Sequence, residues 1–272
     1  MLGEILTRVR DARPIIHSIT NYVTANDCAN ILLAAGASPI MSDDPAEAED
    51  IASLAAGVCI NLGTLSDRKL CAMLAAGRRA NALGRPVVLD PVGAGSSRHR
   101  TEAARRLMSG IKFAVIRGNL SEIKALARDA TASGGVDAAE TDRAESDIDG
   151  RCVFVRSLAK KLKTPLSVTG SADIVTDGER VFLIKNGHPM MTAVTGTGCQ
   201  LSALTTAFIA ANPDEPLTAA VAAAAAMGLC GETAHARLSP EDGSGSYRTY
   251  IIDAVYNLTP EKLKEGTRFE IR

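Results

Sequence analysis

Short runs rich in β-branched and apolar residues alternate with longer Ala- and Leu-rich runs in the first half of this 272-residue chain. The short runs are PIIHSI, ASPIM, GVCINLG, RPVVLD and KFAVIRG, and a run of helical period follows each of them. Continuous apolar runs such as VCINL and PVVLD are typical of parallel strands that are covered on both faces. The alternation therefore predicts an α/β fold, with ligands expected at the carboxyl ends of the strands.

The pattern changes after residue 165. There PLSVTG predicts one more strand, and DIVTDGERVFLIKNG predicts an antiparallel hairpin that turns at Asp177 and Gly178. The central sheet is thus expected to be mostly parallel, with a C-terminal antiparallel hairpin. From Gly198 onward the pattern is nearly all helical. The helices are expected at about 200 to 211, 216 to 238 and 245 to 257, with a polar tail from Pro260.

The polar segment 128–150 is a candidate linker, but a new helix follows it and leads back into the sheet. It is therefore interpreted as a surface excursion, and residues 1–272 as a single domain. The chain is 46% apolar, which is ordinary for a globular protein. A domain of this length buries roughly three quarters of its unfolded surface, so neither disulfides nor a structural metal is needed to hold it together.

The charge balance and the apolar runs argue against several classes of partner. Because 30 Lys and Arg face 31 Asp and Glu, the chain lacks the basic excess that drives nucleic-acid binding, and a small-molecule partner is expected. The stretch 217–231 is mostly Ala and Gly and is shorter than the roughly 20 strongly apolar residues of a membrane span, which predicts a closely packed helix. The N-terminal MLGEILTRVRDARP carries charges where a secretory signal is apolar, so a cytoplasmic protein is expected.

The six cysteines are scattered, without CxxC spacing and mostly among apolar neighbours. This distribution fits reduced thiols better than a disulfide framework. We expect five of them to be small core residues, namely Cys28, Cys59, Cys71, Cys152 and Cys230.

The segment TAVTGTGCQLSAL, residues 192–204, joins a Gly-rich turn to a helix. Gly196 and Gly198 permit unusual φ angles and close approach, and the first helical turn offers unpaired N–H groups to an anion such as phosphate. The alternative is a Gly-rich turn that binds nothing. Cys199 lies at the start of this helix, where the N–H dipoles are expected to lower its pKa and to favour a thiolate that acts as base or nucleophile. A buried, unreactive thiol is the alternative.

Two further segments place ionisable residues at strand ends. In PVVLDPVGAGSS, residues 86–97, Asp90 ends a buried strand and is a candidate cation ligand or, alternatively, a cap of the next element. In FAVIRGNLSEI, residues 113–123, Asn119 and Glu122 have the spacing of a helix capping box, and Glu122 is also a candidate ligand of metal-bound water. Arg117 leaves the strand end and could pair with phosphate.

Several common catalytic patterns are missing from the sequence. GxxxxGK[ST] does not occur, which excludes a P-loop, and VGAGSS lacks the third glycine of a dinucleotide-binding turn. The four histidines show neither HxxxH nor HExxH spacing, and no GxSxG is present. Zinc and serine hydrolases are therefore not expected.

Taken together, six segments resemble the hydroxyethylthiazole kinase family, which is similar to the ribokinase-like superfamily. In the family's order they are HSITNYVTANDCANILLAAGASPIMSDDPAE, INLGTL, LDPVGAGSS, IRGNLSEI, SVTGSADIVTDG and TAVTGTGCQLSAL. The resemblance covers nearly the whole chain. It implies a three-layer αβα sandwich and transfer of the γ-phosphoryl group of ATP, with Mg²⁺, to the primary alcohol of 4-methyl-5-(2-hydroxyethyl)thiazole.

The resemblance also implies roles for individual residues. Those implied for the nucleotide are Arg117, Thr169, Thr197 and Gly198; those for the thiazole are Asn21, Met41, Gly63 and Gly196; and those for magnesium and its waters are Asp90 and Glu122. Cys199 falls where most ribokinase-like sugar kinases have an Asp that deprotonates the alcohol. The family is described as a homotrimer with sites between subunits, so Asn21 and Met41 are expected to act across an interface. A plain core methionine is the alternative for Met41.

Three other groups of functions remain open at this point. The same fold could serve a kinase of the pyrimidine half of thiamine or a nucleotide-dependent dehydratase. If Asn21 and Met41 lay far from the GTGC turn, the pyrimidine kinase or the dehydratase would be favoured. Cys199 could instead be a covalent nucleophile of an amidase or transferase, although no partner base is identifiable nearby in the sequence. The chain could also be a binding protein without turnover.

Overall fold

The structure, a computed structural model, describes residues 1–130 and 147–272. Most of the polar segment 128–150, which the sequence assigns to a surface excursion, lies outside the described residues. At the end of this segment a helix begins at Ile148, after Asp147, whose side chain accepts a hydrogen bond from Gly150 N–H. A helix after the polar segment is therefore confirmed.

Strands and helices alternate along the chain. The strands are β1 (Ile15–Ile19), β2 (Ser38–Ile40), β3 (Gly57–Asn61), β4 (Val87–Asp90), β5 (Val115–Asn119), β6 (Leu166–Thr169), β7 (Asp173–Thr176), β8 (Val181–Ile184) and β9 (Phe269–Ile271). The helices are α1 (Leu2–Ala12), α2 (Ala25–Ala35), α3 (Ala48–Leu54), α4 (Asp67–Ala82), α5 (Arg98–Gly110), α6 (Leu120–Ala130), α7 (Ile148–Leu162), α8 (Thr197–Ala210), α9 (Pro216–Ala236), α10 (Ser244–Tyr256) and α11 (Pro260–Gly266). A 3₁₀ helix spans Pro189–Ala193.

The described strands form one nine-stranded sheet in the order β2-β1-β3-β4-β5-β6-β7-β8-β9. Neighbours from β2 through β6 are parallel, and β7, β8 and β9 are antiparallel to their neighbours. Apolar side chains on one sheet face pack against α1, α2, α8, α9 and α10, and those on the other face pack against α3 to α7. The predicted three-layer αβα sandwich with a mostly parallel sheet and an antiparallel hairpin is confirmed.

The predicted polar tail from Pro260 is wrong. It contains α11, which Pro260 starts at its first position, and then β9, which pairs with β8 in the register Phe182↔Ile271. The rings of Phe182 and Phe269 lie 5.8 Å apart and anchor this edge strand. A strand of three residues is too short to show an alternating pattern, because its position depends on the partner strand.

The apolar stretch 217–231 belongs to α9, and the prediction that it forms a closely packed helix is confirmed. The expectation that it is too short for a membrane span is wrong. α9 has 21 residues and an apolar window of mean hydropathy 1.4, so length and composition alone would allow a span. Within the structure, however, 78% of that window is buried against the rest of the chain. Core helices meet the same criteria, and the consecutive small side chains of Ala222–Ala226 let neighbouring helices approach closely.

The cysteines are all free, and four of the five that were expected in the core are buried. Cys71 is the exception, because it lies on the outer face of α4, between the buried Leu70 and Ala72. Its apolar sequence neighbours face the sheet, whereas Cys71 itself faces outward.

Candidate active site

A row of polar side chains crosses the carboxyl ends of four neighbouring strands. Asn61 in β3 is paired in register with Asp90 in β4, and Arg117 in β5 is paired with Ser167 in β6. Side chains at paired positions of neighbouring strands project from the same sheet face. The residues two positions earlier in β3, β4 and β5 are Cys59, Val88 and Val115, which pack in the cluster that contains α8. The polar row therefore lies on the sheet face that α8 covers.

The turn before α8 brings the start of this helix onto the polar row. Gly196 has φ 89°, and a Cβ there would lie 2.3 Å from Thr24 Cγ2. A Cβ at Gly198 would lie 2.6 Å from Nη1 of Arg117. Gly196 therefore adopts a left-handed φ that other residues rarely adopt, and Gly198 lets Arg117 approach the turn closely, as the sequence predicts. The first N–H groups of α8 have no partner within the helix and are available to an anion.

Cys199, in the first turn of α8, is half-buried over the polar row. Its Sγ accepts hydrogen bonds from Nδ2 of Asn21 and Nδ2 of Asn61, each at 3.2 Å. Burial and, to a lesser extent, the charge of Asp90 raise the pKa of the Cys199 thiol. The structure thus contradicts the expected lowering of this pKa, because desolvation is the largest effect on the Cys199 thiol. At neutral pH Cys199 is a thiol held between two amide groups.

Asp90 is fully buried and lies below Cys199. Its Oδ2 accepts hydrogen bonds from Asn61 Nδ2 at 2.8 Å and Ser202 Oγ at 2.7 Å and lies 3.6 Å from Nη1 of Arg117. Burial raises the pKa of Asp90 to about 6, although Arg117 and these hydrogen bonds act in the opposite direction. Its hydrogen-bond partners are side chains rather than helix N–H groups, so the capping alternative does not describe this residue.

Arg117 is buried between the sheet and the start of α8. Besides its ion pair with Asp90, it donates a hydrogen bond from Nη2 to Thr169 Oγ1 at 2.8 Å. Among the described residues its Nε has no hydrogen-bond partner. The guanidinium therefore keeps one N–H donor that has no hydrogen-bond partner among the described residues, close to the turn that contains Gly198.

Asn119 and Glu122 form the capping box that the sequence offers as one alternative. Asn119 N–H donates to Glu122 Oε2, and Glu122 N–H donates to Asn119 Oδ1, each at 2.9 Å. The other carboxylate oxygen of Glu122 accepts a hydrogen bond from Gly93 N–H at 3.0 Å. Glu122 therefore fastens the loop after β4 to α6 while its carboxylate faces the cavity described next.

Two cavities meet at the start of α8. Cavity A, of about 540 Å³, is lined among others by Asp173, His188, Thr197, Leu201 and Met227. Cavity B, of about 440 Å³, is lined among others by Asn21, Gly63, Asp90, Glu122, Gly196 and Cys199. Arg117, Thr169 and Gly198 line both cavities and form the wall between them. All four residues implied for the nucleotide thus line cavity A, and those implied for the thiazole and the metal line cavity B, except Met41.

Met41 lies outside the lining of both cavities. It follows the edge strand β2 and is 36% exposed. Two other apolar residues near this edge are more exposed, Tyr22 at 71% and Val23 at 67%, and Val23 lines cavity B. Met41 is therefore not a core methionine, and within its own chain it does not line cavity A or cavity B.

Sequence analysis did not identify several residues of the site. Asn61 ends β3 as Asp90 ends β4, and this parallel could have identified it. Ser202, one helical turn after Gly198, shows no comparable pattern. Asp173, where burial raises the pKa to about 6, belongs to cavity A only because the hairpin folds back along β6.

The topology is that of the ribokinase-like fold. A ribokinase-like superfamily protein from Enterococcus faecalis shares this fold with a TM-score of 0.57 at 13% identity, over 88% of this chain and 87% of that one. A closer match is the structure of a hydroxyethylthiazole kinase protein from Pyrococcus horikoshii, with a TM-score of 0.88 at 36% identity over 100% of this chain and 98% of that one.

The sequence comparisons define the family. The family model of the hydroxyethylthiazole kinases matches residues 6–261. A hydroxyethylthiazole kinase from Clostridium acetobutylicum is 50% identical over 271 residues, which is 99% of each chain. The chain belongs to the hydroxyethylthiazole kinase family.

Proposed function

We propose that this protein transfers the γ-phosphoryl group of ATP to the primary hydroxyl of 4-methyl-5-(2-hydroxyethyl)thiazole, as its family membership suggests. The observation that carries this proposal is the meeting of two cavities at one wall, formed by Arg117, Thr169 and Gly198. A triphosphate that enters from cavity A reaches the N–H groups at the start of α8, and an alcohol in cavity B reaches the same point from the other side. Phosphoryl transfer needs mainly such positioning and charge stabilisation.

The chain's own residues provide both functions. Arg117 and the first turn of α8 stabilise negative charge on the transferred group. Asn21 and Asn61 hold the Sγ of Cys199 in cavity B, where it orients the acceptor hydroxyl. Because the pKa of the Cys199 thiol is raised, little of it is present near pH 7 as the thiolate that could accept the alcohol proton, and a loose transition state requires little proton transfer. We therefore propose that Cys199 mainly positions the acceptor hydroxyl and contributes less to the deprotonation of that hydroxyl.

Asp90 and Glu122 fit a magnesium site that phosphate oxygens complete. Among the described residues, no donor lies within hydrogen-bonding distance of the fully buried Asp90 Oδ1, and burial raises the pKa of Asp90 to about 6, which fits a carboxylate that a cation would stabilise. No group of three or more His, Cys, Asp or Glu in the described ranges could hold a metal, so the protein alone does not form a cage. Mg²⁺ commonly binds through one or two carboxylates plus phosphates and waters, and it would neutralise charge on the triphosphate.

The exposed apolar residues beside cavity B support the proposed homotrimer. Tyr22, Val23 and Met41 present apolar surface at the edge of the sheet, where a second copy of the chain would cover it. In that arrangement Met41 would complete the thiazole site of a neighbouring subunit. The free cysteines fit the proposed reducing cytoplasmic location, and the continuous sheet fits a single domain over residues 1–272.

An ATP-consumption screen over small hydroxyalkyl heterocycles tests the proposed function. With Mg²⁺ present, we expect turnover with 4-methyl-5-(2-hydroxyethyl)thiazole and much less with the hydroxymethylpyrimidine half of thiamine. Omission of Mg²⁺ and omission of the alcohol are the controls. Preferred turnover of the pyrimidine, or no ATP turnover with any alcohol, would contradict the proposal.

The structure weakens the other hypotheses. Asn21 and Met41 are the residues that discriminate against a pyrimidine kinase or dehydratase. Asn21 argues against both, since it lies 3.2 Å from Cys199 Sγ beside the GTGC turn, whereas Met41 lines neither cavity and gives no such support. A covalent nucleophile needs an activating base, but the hydrogen bonds to Cys199 come from amide side chains and its pKa is raised.

A further inference from the structure

Lys69 is a buried cation beside, but outside, the lining of cavity B. It is the third residue of α4, and its side chain is only 2% exposed. Burial of an ammonium group costs free energy unless it is well compensated, and the positive end of the helix dipole disfavours a cation in the first turn. Neither helix stability nor apolar packing explains a lysine at this position. Such local conflicts are typical of residues that serve a site.

The ammonium group of Lys69 binds three separate loops. It donates a hydrogen bond to Thr20 O at 3.0 Å and one to Thr64 Oγ1 at 3.4 Å, and it forms an ion pair with Asp43 Oδ2 at 3.2 Å. These three contacts match its three N–H donors. The ring of Tyr22 covers the ammonium at 3.9 Å, and the Tyr22 hydroxyl donates a hydrogen bond to the same Asp43 oxygen at 2.8 Å.

Two of these loops carry residues that line cavity B. Thr20 directly precedes Asn21, whose amide group contacts Cys199 Sγ. Thr64 lines cavity B itself and has φ 45°, a left-handed conformation that is unfavourable for a β-branched residue. Its Oγ1 accepts hydrogen bonds from both Tyr22 N–H and Lys69 Nζ. The ammonium therefore helps to hold a strained residue on one side of the acceptor site and the backbone of Asn21 on the other.

We infer that Lys69 is a positioning residue for the acceptor alcohol, which sets the geometry of cavity B by joining the loops at Thr20, Asp43 and Thr64. The inference rests on the proposed function, because it concerns the alcohol in that cavity. It does not extend to the nucleotide, since none of the three loops supplies a residue that lines cavity A.

The variant Lys69→Met, which keeps the length of the side chain and removes its donors, tests this inference. We expect the KM for the thiazole alcohol to rise about 10-fold or more, and the dissociation constant for ATP to stay within about twofold. Arg68→Met is a matched control. Arg68 precedes Lys69 in the same helix and pairs with Asp44, the neighbour of Asp43, but it is 70% exposed. An exposed pair contributes little, so neither constant should change in the control.

A rescue experiment separates positioning from general stability. Glycine adopts a left-handed φ without strain, so Thr64→Gly in the Lys69→Met background should recover part of the alcohol KM. If Lys69→Met does not fold, as judged by thermal melting, Asp43→Asn gives the test, and we expect a smaller rise of the alcohol KM in the same direction. Equal losses for ATP and alcohol, or an unchanged alcohol KM in a folded variant, would overturn the inference. A wild-type protein that turns over no alcohol would instead overturn the proposed function.

Discussion

Cavities A and B share one wall but are stabilised in different ways. Cavity B is enclosed by buried side chains that bond to one another at the ends of parallel strands, including Asn61 and Asp90. Cavity A is enclosed by the β6–β7 turn, the segment around the 3₁₀ helix and α9. One loop that lines this cavity is held in place by partly exposed side chains. The difference separates two tasks. Under the proposed function, buried contacts would fix the reacting groups, whereas nucleotide binding would depend on a loop that a partly exposed network fastens.

That network centres on Glu232 in α9. Its Oε1 accepts a hydrogen bond from Gly187 N–H at 2.7 Å and one from Arg268 Nη2 at 2.6 Å. Arg268 N–H in turn donates to Asn186 Oδ1 at 2.8 Å. The loop at 186–188, which lines cavity A, is therefore attached to α9 and to the segment that leads into β9. Since this attachment lies away from the shared wall, changes there should affect the nucleotide alone.

The largest expected effect comes from Arg117→Ala, because Arg117 belongs to the wall between the cavities. Removal of a buried partner of Asp90 leaves an uncompensated charge and removes the proposed phosphate ligand. We expect ATP affinity to fall by about 100-fold, and the affinity for the thiazole to fall by less than about 10-fold. Equilibrium binding of each ligand measures the two effects.

Arg117→Lys is the matched variant, because it keeps the charge but cannot reach both Thr169 and Asp90 with a planar group. It should recover part of the ATP affinity. Equal losses for the two ligands in Arg117→Ala would contradict the proposed role of the guanidinium in binding the nucleotide.

Cys199 tests the chemistry of cavity B. We expect Cys199→Ala to lower kcat by about 100-fold with little change in thermal stability, since the side chain is small and half-buried. Cys199→Asp introduces a carboxylate, a stronger base at neutral pH than a thiol of raised pKa, and should retain activity. An Asp variant that binds both substrates but has no turnover would rule out a base at this position.

The contrast between the cavities also explains how much of the fold the sequence predicts. β3 and β4 are buried runs that end in a polar residue, and local pattern alone identifies them. The edge strand β9 has no such pattern, because its existence depends on pairing with β8 across a long stretch of sequence. Cys71 was placed in the core because its neighbours are apolar, yet the helical period turns it outward.

For the site, residues at strand ends and in the GTGC turn could be predicted, because motif and topology place them together. The pKa of Cys199 could not, since it depends on burial and on Asp90, which is far away in sequence. Asp173 depends on the return of the hairpin to β6. The position of Met41 outside the lining of cavities A and B likewise requires the three-dimensional structure.

Glu232→Gln should have a smaller effect, confined to cavity A. The amide cannot form an ion pair with Arg268 and is a weaker acceptor than a carboxylate for Gly187 N–H, so the loop at 186–188 is held less firmly. We expect the KM for ATP to rise about fivefold and the KM for the thiazole to stay unchanged, the reverse of the Lys69→Met pattern. Glu270→Gln is the control, because Glu270 pairs with Lys185 and Arg272 in an exposed position on β9. A rise of both KM values would show that the cavities are not separately stabilised.

The smallest effect is expected from thiol alkylation at neutral pH. Burial and the charge of Asp90 raise the pKa of Cys199, so its thiolate fraction near pH 7 is lower than that of a free cysteine, and it grows only as the pH rises. Iodoacetamide should therefore label the exposed Cys71 first, with little loss of activity, and label Cys199 faster at higher pH. Peptide mass analysis identifies the labelled residue, and Cys71→Ser removes the competing reaction.

Because Cys199 lines cavity B, the thiazole alcohol should slow its labelling more than ATP does. Rapid labelling of Cys199 at neutral pH with complete loss of activity would instead indicate an activated nucleophile.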